Sequence, residues 1–128
     1  MPSKVWFVTF DCADPRRVAE FWATALSFDV QAPHEDFGEV ELHDPNGAGP
    51  SLGFMKVPES KVVKNRVHLD LWPESSLEEE VERLVAAGAH QIETLQDPDG
   101  YVDPTIWAVM QDPEGNEFCV IEKLSRRT

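Results

Sequence analysis

The sequence has no apolar run approaching the roughly 20 residues that cross a bilayer as a helix, so no membrane span is expected. Its opening, Met1-Pro2-Ser3-Lys4, lacks a long apolar stretch, and no secretory leader is expected. Cysteine is sparse. Cys12 and Cys119 form no Cys-x-x-Cys pair and read as free thiols in a reducing compartment, so the expected location is the cytoplasm. Positive charge is scarce too: 11 Lys and Arg stand against 24 Asp and Glu, a net charge of −13. That balance argues against nucleic acid as a partner. It favours encounter with cations, and it also serves solubility. There is no Gly-rich phosphate loop and no nucleophile-elbow pattern.

What is present is a pattern given twice. Leu42-His43-Asp44-Pro45-Asn46-Gly47 returns as Met110-Gln111-Asp112-Pro113-Glu114-Gly115, each copy between apolar, strand-like runs. An internal duplication points to a ligand site between paired modules. The 128 residues suit one domain, residues 1–128, made of an N-terminal module over 1–58 and a C-terminal module over 65–128. Each half alone would be marginal, so the two are expected to fold together.

Val5 to Phe10 alternates as a strand. Asp14-Pro15 reads as an N-cap and first-turn proline, followed by Val18, Phe21, Trp22, Ala25 and Leu26 at helical spacing. Strands are expected over Phe28 to Val30, Glu39 to Leu42 and Leu52 to Val57. Pro58 to Asn65 reads as a polar linker. The second module opens with a strand over Arg66 to Leu71. A helix follows, with N-caps offered by Ser75 and Ser76, an apolar stripe of Leu77, Val81, Leu84 and Val85, and Gly88 just past its end. Strands are then expected over Gln91 to Leu95, Ile106 to Met110 and Glu117 to Ile121. The order is strand, helix, three strands, twice. Setting Phe7 opposite His68 also sets Ser27 opposite Gly88, just past each helix. The paired turns lie further apart, which implies a longer loop in the second module.

Lys64-Asn65-Arg66-Val67-His68-Leu69-Asp70-Leu71, the close Asp112-Pro113-Glu114-Gly115-Asn116-Glu117-Phe118-Cys119-Val120, and Asp14-Pro15 leading to Ala19-Glu20-Phe21-Trp22 together carry a resemblance. The chain resembles the vicinal oxygen chelate superfamily, which includes glyoxalase I, bleomycin-resistance proteins and extradiol dioxygenases, and within it the small glyoxalase-like branch. The resemblance implies an α+β fold: two βαβββ modules, each curling a mixed sheet into half of a cup with helices outside. It implies cup-side positions at Phe7, Thr9 and Asp11, at Arg66, His68 and Asp70, and at Cys119 and Ile121. Val67, Leu69 and Leu71 would pack under a helix, as would Phe118 and Val120. It also implies a homodimer.

Metal-dependent members of that superfamily place one ligand on each of four strands. Here the first position falls on Phe7, which cannot ligate. The next falls within Leu52 to Val57, which holds no carboxylate or imidazole. The last two fall on His68 and Cys119. Two donors are fewer than the three or four that zinc takes from protein; substrate oxygens, Asp11, Asp70 or a second subunit could complete a site, but nothing in the sequence requires it, so no metal is favoured. If one is bound, His68 and Cys119 would hold zinc, nickel or iron. His68 otherwise reads as a hydrogen-bonded sheet residue or as a general base. His34, His43 and His90 read as exposed, without ligand spacing.

Of four tryptophans, Trp22 reads as core, Trp107 as an aromatic platform in the cup, and Trp72 as its rim. The run Glu78, Glu79, Glu80 and Glu82 reads as a solvated helix face. Asp97, Asp99 and Asp103 flank the long loop, which reads as a polar lid. The function expected is binding or sequestration of a small aromatic molecule, a cationic one being compatible with the acidity, without metal, nucleic acid or membrane. Phe7, Thr9, His68, Asp70, Trp107 and Cys119 would line the site. The alternative is a metal-dependent lyase, isomerase or dioxygenase using His68 as a ligand. Whether the chain is an enzyme is open at this point.

Overall fold

The computed structural model describes residues 1–34, 38–97 and 104–127, with only the backbone for 32–34. The chain divides into two compact units, Met1–Val62 and Val63–Thr128. The first holds β1 (Phe7–Cys12), α1 (Pro15–Leu26), β2 (Asp29–His34), β3 (Glu39–His43) and β4 (Ser51–Lys56). The second holds β5 (Leu69–Leu71), α2 (Leu77–Ala86), β6 (His90–Asp97), β7 (Thr105–Gln111), β8 (Glu117–Lys123) and a short 3-10 helix, Leu124–Arg127. The sheets are four-stranded, in the orders β1-β4-β3-β2 and β5-β8-β7-β6. Each pairs its opening strand parallel to its last and runs antiparallel elsewhere. The expected α+β architecture of two βαβββ modules is what forms. Among the described residues, no helix is long and apolar enough to cross a membrane.

In the first unit, Asp14 caps α1 by accepting the Arg17 amide at 3.2 Å, and Pro15 opens the helix where its missing N–H costs nothing. Val18, Phe21, Trp22 and Ala25 are buried. Trp22 meets Phe10 at 5.6 Å, and Phe10 meets Phe54 at 5.3 Å, so one face of the sheet is closed by α1. The other face presents Phe7, Thr9, Glu41 and His43, as the alternation of β1 and β3 requires. Pro33 is accommodated because β2 is an edge strand and its register shifts between Gln31 and His34.

The second unit repeats the scheme. Ser76 accepts the Glu79 amide at 3.2 Å, and Gly88 takes the positive φ of 122° just beyond α2. β7 and β8 alternate strictly. Ile106, Ala108, Met110, Phe118 and Val120 are buried on the α2 side, and Trp107, Val109, Cys119 and Ile121 are half-buried on the other.

Several expected boundaries move. β1 begins at Phe7, because only from there does the chain register against Ser51 to Lys56; Val5 and Trp6 are exposed. β5 is shorter than expected. Leu69 pairs with Phe118, but Val67 is exposed rather than packed under a helix. The approach to β5 is instead held by side chains: Glu117 accepts the Asn65 amide at 2.8 Å and Asn116 accepts the Asn65 carboxamide at 2.9 Å. Val85 faces solvent, whereas Glu80, on the other flank of the stripe, is buried and clamped by Arg83 at 2.7 and 2.9 Å. Glu80 therefore leaves the solvated face. Of the expected acidic lid, Asp99 and Asp103 lie outside the described residues.

Candidate functional site

The helix-free face of the second sheet assembles most of the residues picked out in the sequence. Asp70 lies directly opposite Cys119 in the parallel β5–β8 ladder, and Val109 lies opposite Cys119 on the other side. One step along, Trp107 pairs with Ile121. Trp72 follows β5 and has the Lys123 ammonium 5.4 Å from its ring centroid, which places it beside the same end of β8. An apolar shelf of Trp107, Ile121 and Trp72 thus adjoins a polar row containing Cys119 and Asp70.

His68 completes the polar row. It precedes the strand, and its Nε2 lies 3.3 Å from Asp70 Oδ1. Its side chain is exposed and stands beside the Asp70 carboxylate. One donor atom each from His68, Asp70 and Cys119 lies within 4.8 Å of the others. Of the groups that could complete the His68 and Cys119 pair, the ladder brings up Asp70, because strand pairing fixes Asp70 and Cys119 on one face. Burial raises the Cys119 thiol pKa above its ordinary value, and the Asp70 charge raises it further, with Lys64 opposing. Iodoacetamide labelling of Cys119 should accordingly reach half-maximal rate at a higher pH than an unperturbed thiol. Asp70→Asn should shift that midpoint down, as read by peptide mass spectrometry. An unmoved midpoint would contradict the assigned cause.

These residues are positioned by the Asp112 turn. Asp112 is fully buried. Its Oδ1 accepts the amides of Glu114 and Asn116 at 2.9 and 3.0 Å, and its Oδ2 accepts the Asn116 carboxamide at 2.9 Å. Asn116 passes the network to Asn65, upstream of His68. The doubled motif is therefore turn chemistry that sets where β8 starts and how the chain enters the site.

The register also corrects the sequence correspondence between the modules. Ser51 follows Asp44 at the interval at which Cys119 follows Asp112, and Ser51 pairs with Phe7 as Cys119 pairs with Asp70. Phe7 thus corresponds to Asp70 rather than His68, and the first module's counterpart of Cys119 is Ser51, outside the expected Leu52 to Val57. Reasoning from sequence also missed His43. Expected to be exposed, it is half-buried at the end of β3, with Nδ1 3.0 Å from Ser51 Oγ and its ring edge-on to Phe7 at 5.8 Å. His90 is exposed as expected, and the His34 side chain lies outside the described residues. Thr9 is exposed on the face of Phe7, and a side chain at Gly53 would meet its hydroxyl at 3.0 Å, so Gly53 keeps that face flat.

The two βαβββ units define the glyoxalase/bleomycin-resistance fold. The profile of the glyoxalase-like domain matches residues 7–121, and the chain belongs to that family, within the vicinal oxygen chelate superfamily. No curated protein matches the sequence. Among solved structures, it is similar to a glyoxalase/bleomycin resistance protein/dioxygenase family enzyme from Burkholderia phytofirmans. That pair is 19% identical over 95% of this chain and 100% of the other, with a TM-score of 0.73. The fosfomycin resistance protein FosX from Listeria monocytogenes is also similar. A mutant of it, solved with manganese(II) and 1S,2S-dihydroxypropylphosphonic acid, is 17% identical over 99% of this chain and 96% of that one, with a TM-score of 0.73. The hypothetical protein SA1046 of S. aureus gives 16% identity over 94% of each chain and a TM-score of 0.69.

Proposed function

We propose that the helix-free face of the second sheet binds a small molecule. Its planar apolar body lies on Trp107, Ile121 and Trp72, and its polar end meets His68, Asp70 and Cys119. The observation that supports this most is the register that sets Trp107–Ile121 one step from the Asp70–Cys119 pair. Aromatic faces together with a net charge of −13 favour a cationic ligand. Sequestration of such a compound is the activity this reading assigns, in keeping with the similarity to a glyoxalase/bleomycin resistance protein/dioxygenase family enzyme. The homodimer belongs to the same proposal.

A thermal-shift screen of planar cationic, neutral and anionic compounds, with chelator present, tests the reading. A ligand at 100 times its Kd adds about 2.7 kcal/mol of stability. Planar cations should raise the midpoint, and Trp107→Ala should abolish the gain. No stabilising compound, or hits indifferent to Trp107→Ala, would overturn the reading.

The triple His68–Asp70–Cys119 favours a second reading, a metal-dependent enzyme. An imidazole, a carboxylate and a thiol so placed meet the count of protein ligands in a catalytic zinc site, which keeps one position open. A metal held by these three residues would polarise a substrate oxygen as a Lewis acid. In a reaction without metal, His68 would serve as general base, oriented by Asp70.

A further inference from the structure

We infer that His68, Asp70 and Cys119 form a single site for a thiophilic divalent cation, zinc or cobalt(II) in preference to magnesium or manganese(II), with Cys119 as the selecting ligand. The inference rests on the metal reading above and goes further, since it assigns the preference to one sulfur atom.

The geometry comes from the backbone. Asp70 and Cys119 are registered across a parallel ladder, so the oxygen and sulfur donors project from adjacent strands to the same side. His68 Nε2 is already 3.3 Å from Asp70 Oδ1. Bond lengths of about 2.0–2.3 Å put two donors on one tetrahedral zinc roughly 3.3–3.7 Å apart. The remaining separations, within 4.8 Å, close by side-chain rotation. Exposures of 41% for the His68 side chain and 55% for that of Asp70 leave both free to rotate. The Asn65 contacts with Glu117 and Asn116 hold the chain entering His68, so little backbone has to be ordered on binding.

Selectivity comes from donor chemistry. A thiolate is soft: it holds zinc or cobalt(II) well and is a poor ligand for magnesium or manganese(II), which take oxygen donors. The corresponding positions of the first sheet are Phe7 and Ser51, which offer neither carboxylate, imidazole nor thiol. Among the described residues, His68, Asp70 and Cys119 are the one such cluster, so one ion per chain is expected.

The test uses the whole protein stripped of metal by chelator and re-equilibrated with cobalt(II), zinc or manganese(II) alone. Cobalt(II) should bind at one per chain and give the intense near-ultraviolet sulfur-to-cobalt band. Zinc should displace it, and a large excess of manganese(II) should not. Cys119→Ser should remove the band and weaken zinc by more than the roughly 10–100-fold cost of losing an outer-shell partner. Cys12→Ser should keep the band, because the Cys12 thiol is buried and donates to the Met55 carbonyl. Circular dichroism of each variant separates lost ligation from lost folding. No ion bound by the folded protein would overturn both the inference and the metal reading. An ion bound without the sulfur band, or manganese(II) held as tightly as zinc, would overturn the inference and leave the metal reading standing.

Discussion

Asp112→Ala should lower the folding stability of the chain by about 3 kcal/mol, the largest loss expected from any single turn residue. The carboxylate is fully buried and accepts three hydrogen bonds, from two backbone amides and the Asn116 carboxamide. Alanine would leave three donors at the site without an acceptor. Asp44 in the first module makes a useful contrast. It is only half-buried, its side chain accepts the Asn46 amide at 2.8 Å, and the turn is also closed by Gly47 N–H to the Asp44 carbonyl at 2.9 Å. Asp44→Ala should cost less than about 1 kcal/mol. Urea unfolding of the two variants checks this. Equal losses would mean that the turns are structurally interchangeable and that the second has no added part in holding the entry to His68.

The second large effect concerns the C-terminal end. Glu122 is buried between β8 and the start of α2, where its Oε2 accepts the Leu77 amide at 3.2 Å. Its Oε1 lies 2.8 Å from the Arg127 Nε, an ion pair that compensates the buried charge. Arg127 also donates to Glu78 at 2.6 Å, and Arg126 donates to the Pro73 carbonyl at 3.1 Å. Arg127→Ala removes the compensating charge from a carboxylate that cannot reach water and should lower the urea midpoint clearly. In a Glu122→Gln background the same change should cost much less, since a neutral amide needs no counter-charge. A double-mutant cycle by urea unfolding measures the difference. Equal costs in both backgrounds would show that Arg127 acts by packing alone. There is a pH signature as well. The hydrogen bond from Arg127 holds the Glu78 carboxyl below its ordinary pKa. That small contribution is present above the ordinary carboxylate pKa and is lost as pH falls through the lowered value.

The order of elements was legible because the signals were local. The Asp14-Pro15 start, the Val18 to Ala25 stripe and the two Asp-Pro-x-Gly turns each specify geometry within a few residues. The misreadings arose where partners distant in sequence decide. Val67 continues the alternation of Leu69 and Leu71, yet it falls outside the ladder, where the chain is tied to the start of β8 by the Asn116 and Glu117 side chains and not by backbone pairing. Glu80 sits in a run of acids and is buried because Arg83 neutralises it one turn on. His43 looked like the edge of a loop; Ser51 and Phe7 draw it onto the sheet. Asp70 was one of several groups that could complete a site with His68 and Cys119; that it is the one standing beside both follows from a parallel register that no local pattern encodes. The same register moves the counterpart of Phe7 from His68 to Asp70.

Ligand binding at the proposed face, which bears Trp107, Cys119 and Asp70, is reported directly by the indole N–H signals of the protein. Trp22 is fully buried beneath α1 and Trp107 is half-buried on the helix-free face of the second sheet, so the two indoles sample different surroundings. Compounds from the planar cation screen should be titrated into nitrogen-15-labelled protein. The Trp107 indole and the Cys119 and Asp70 amides should move together, Trp22 should stay still, and His68→Ala should weaken the response. Binding that leaves Trp107 and Cys119 unmoved, with shifts confined to α1 or to the first sheet, would contradict the proposed site.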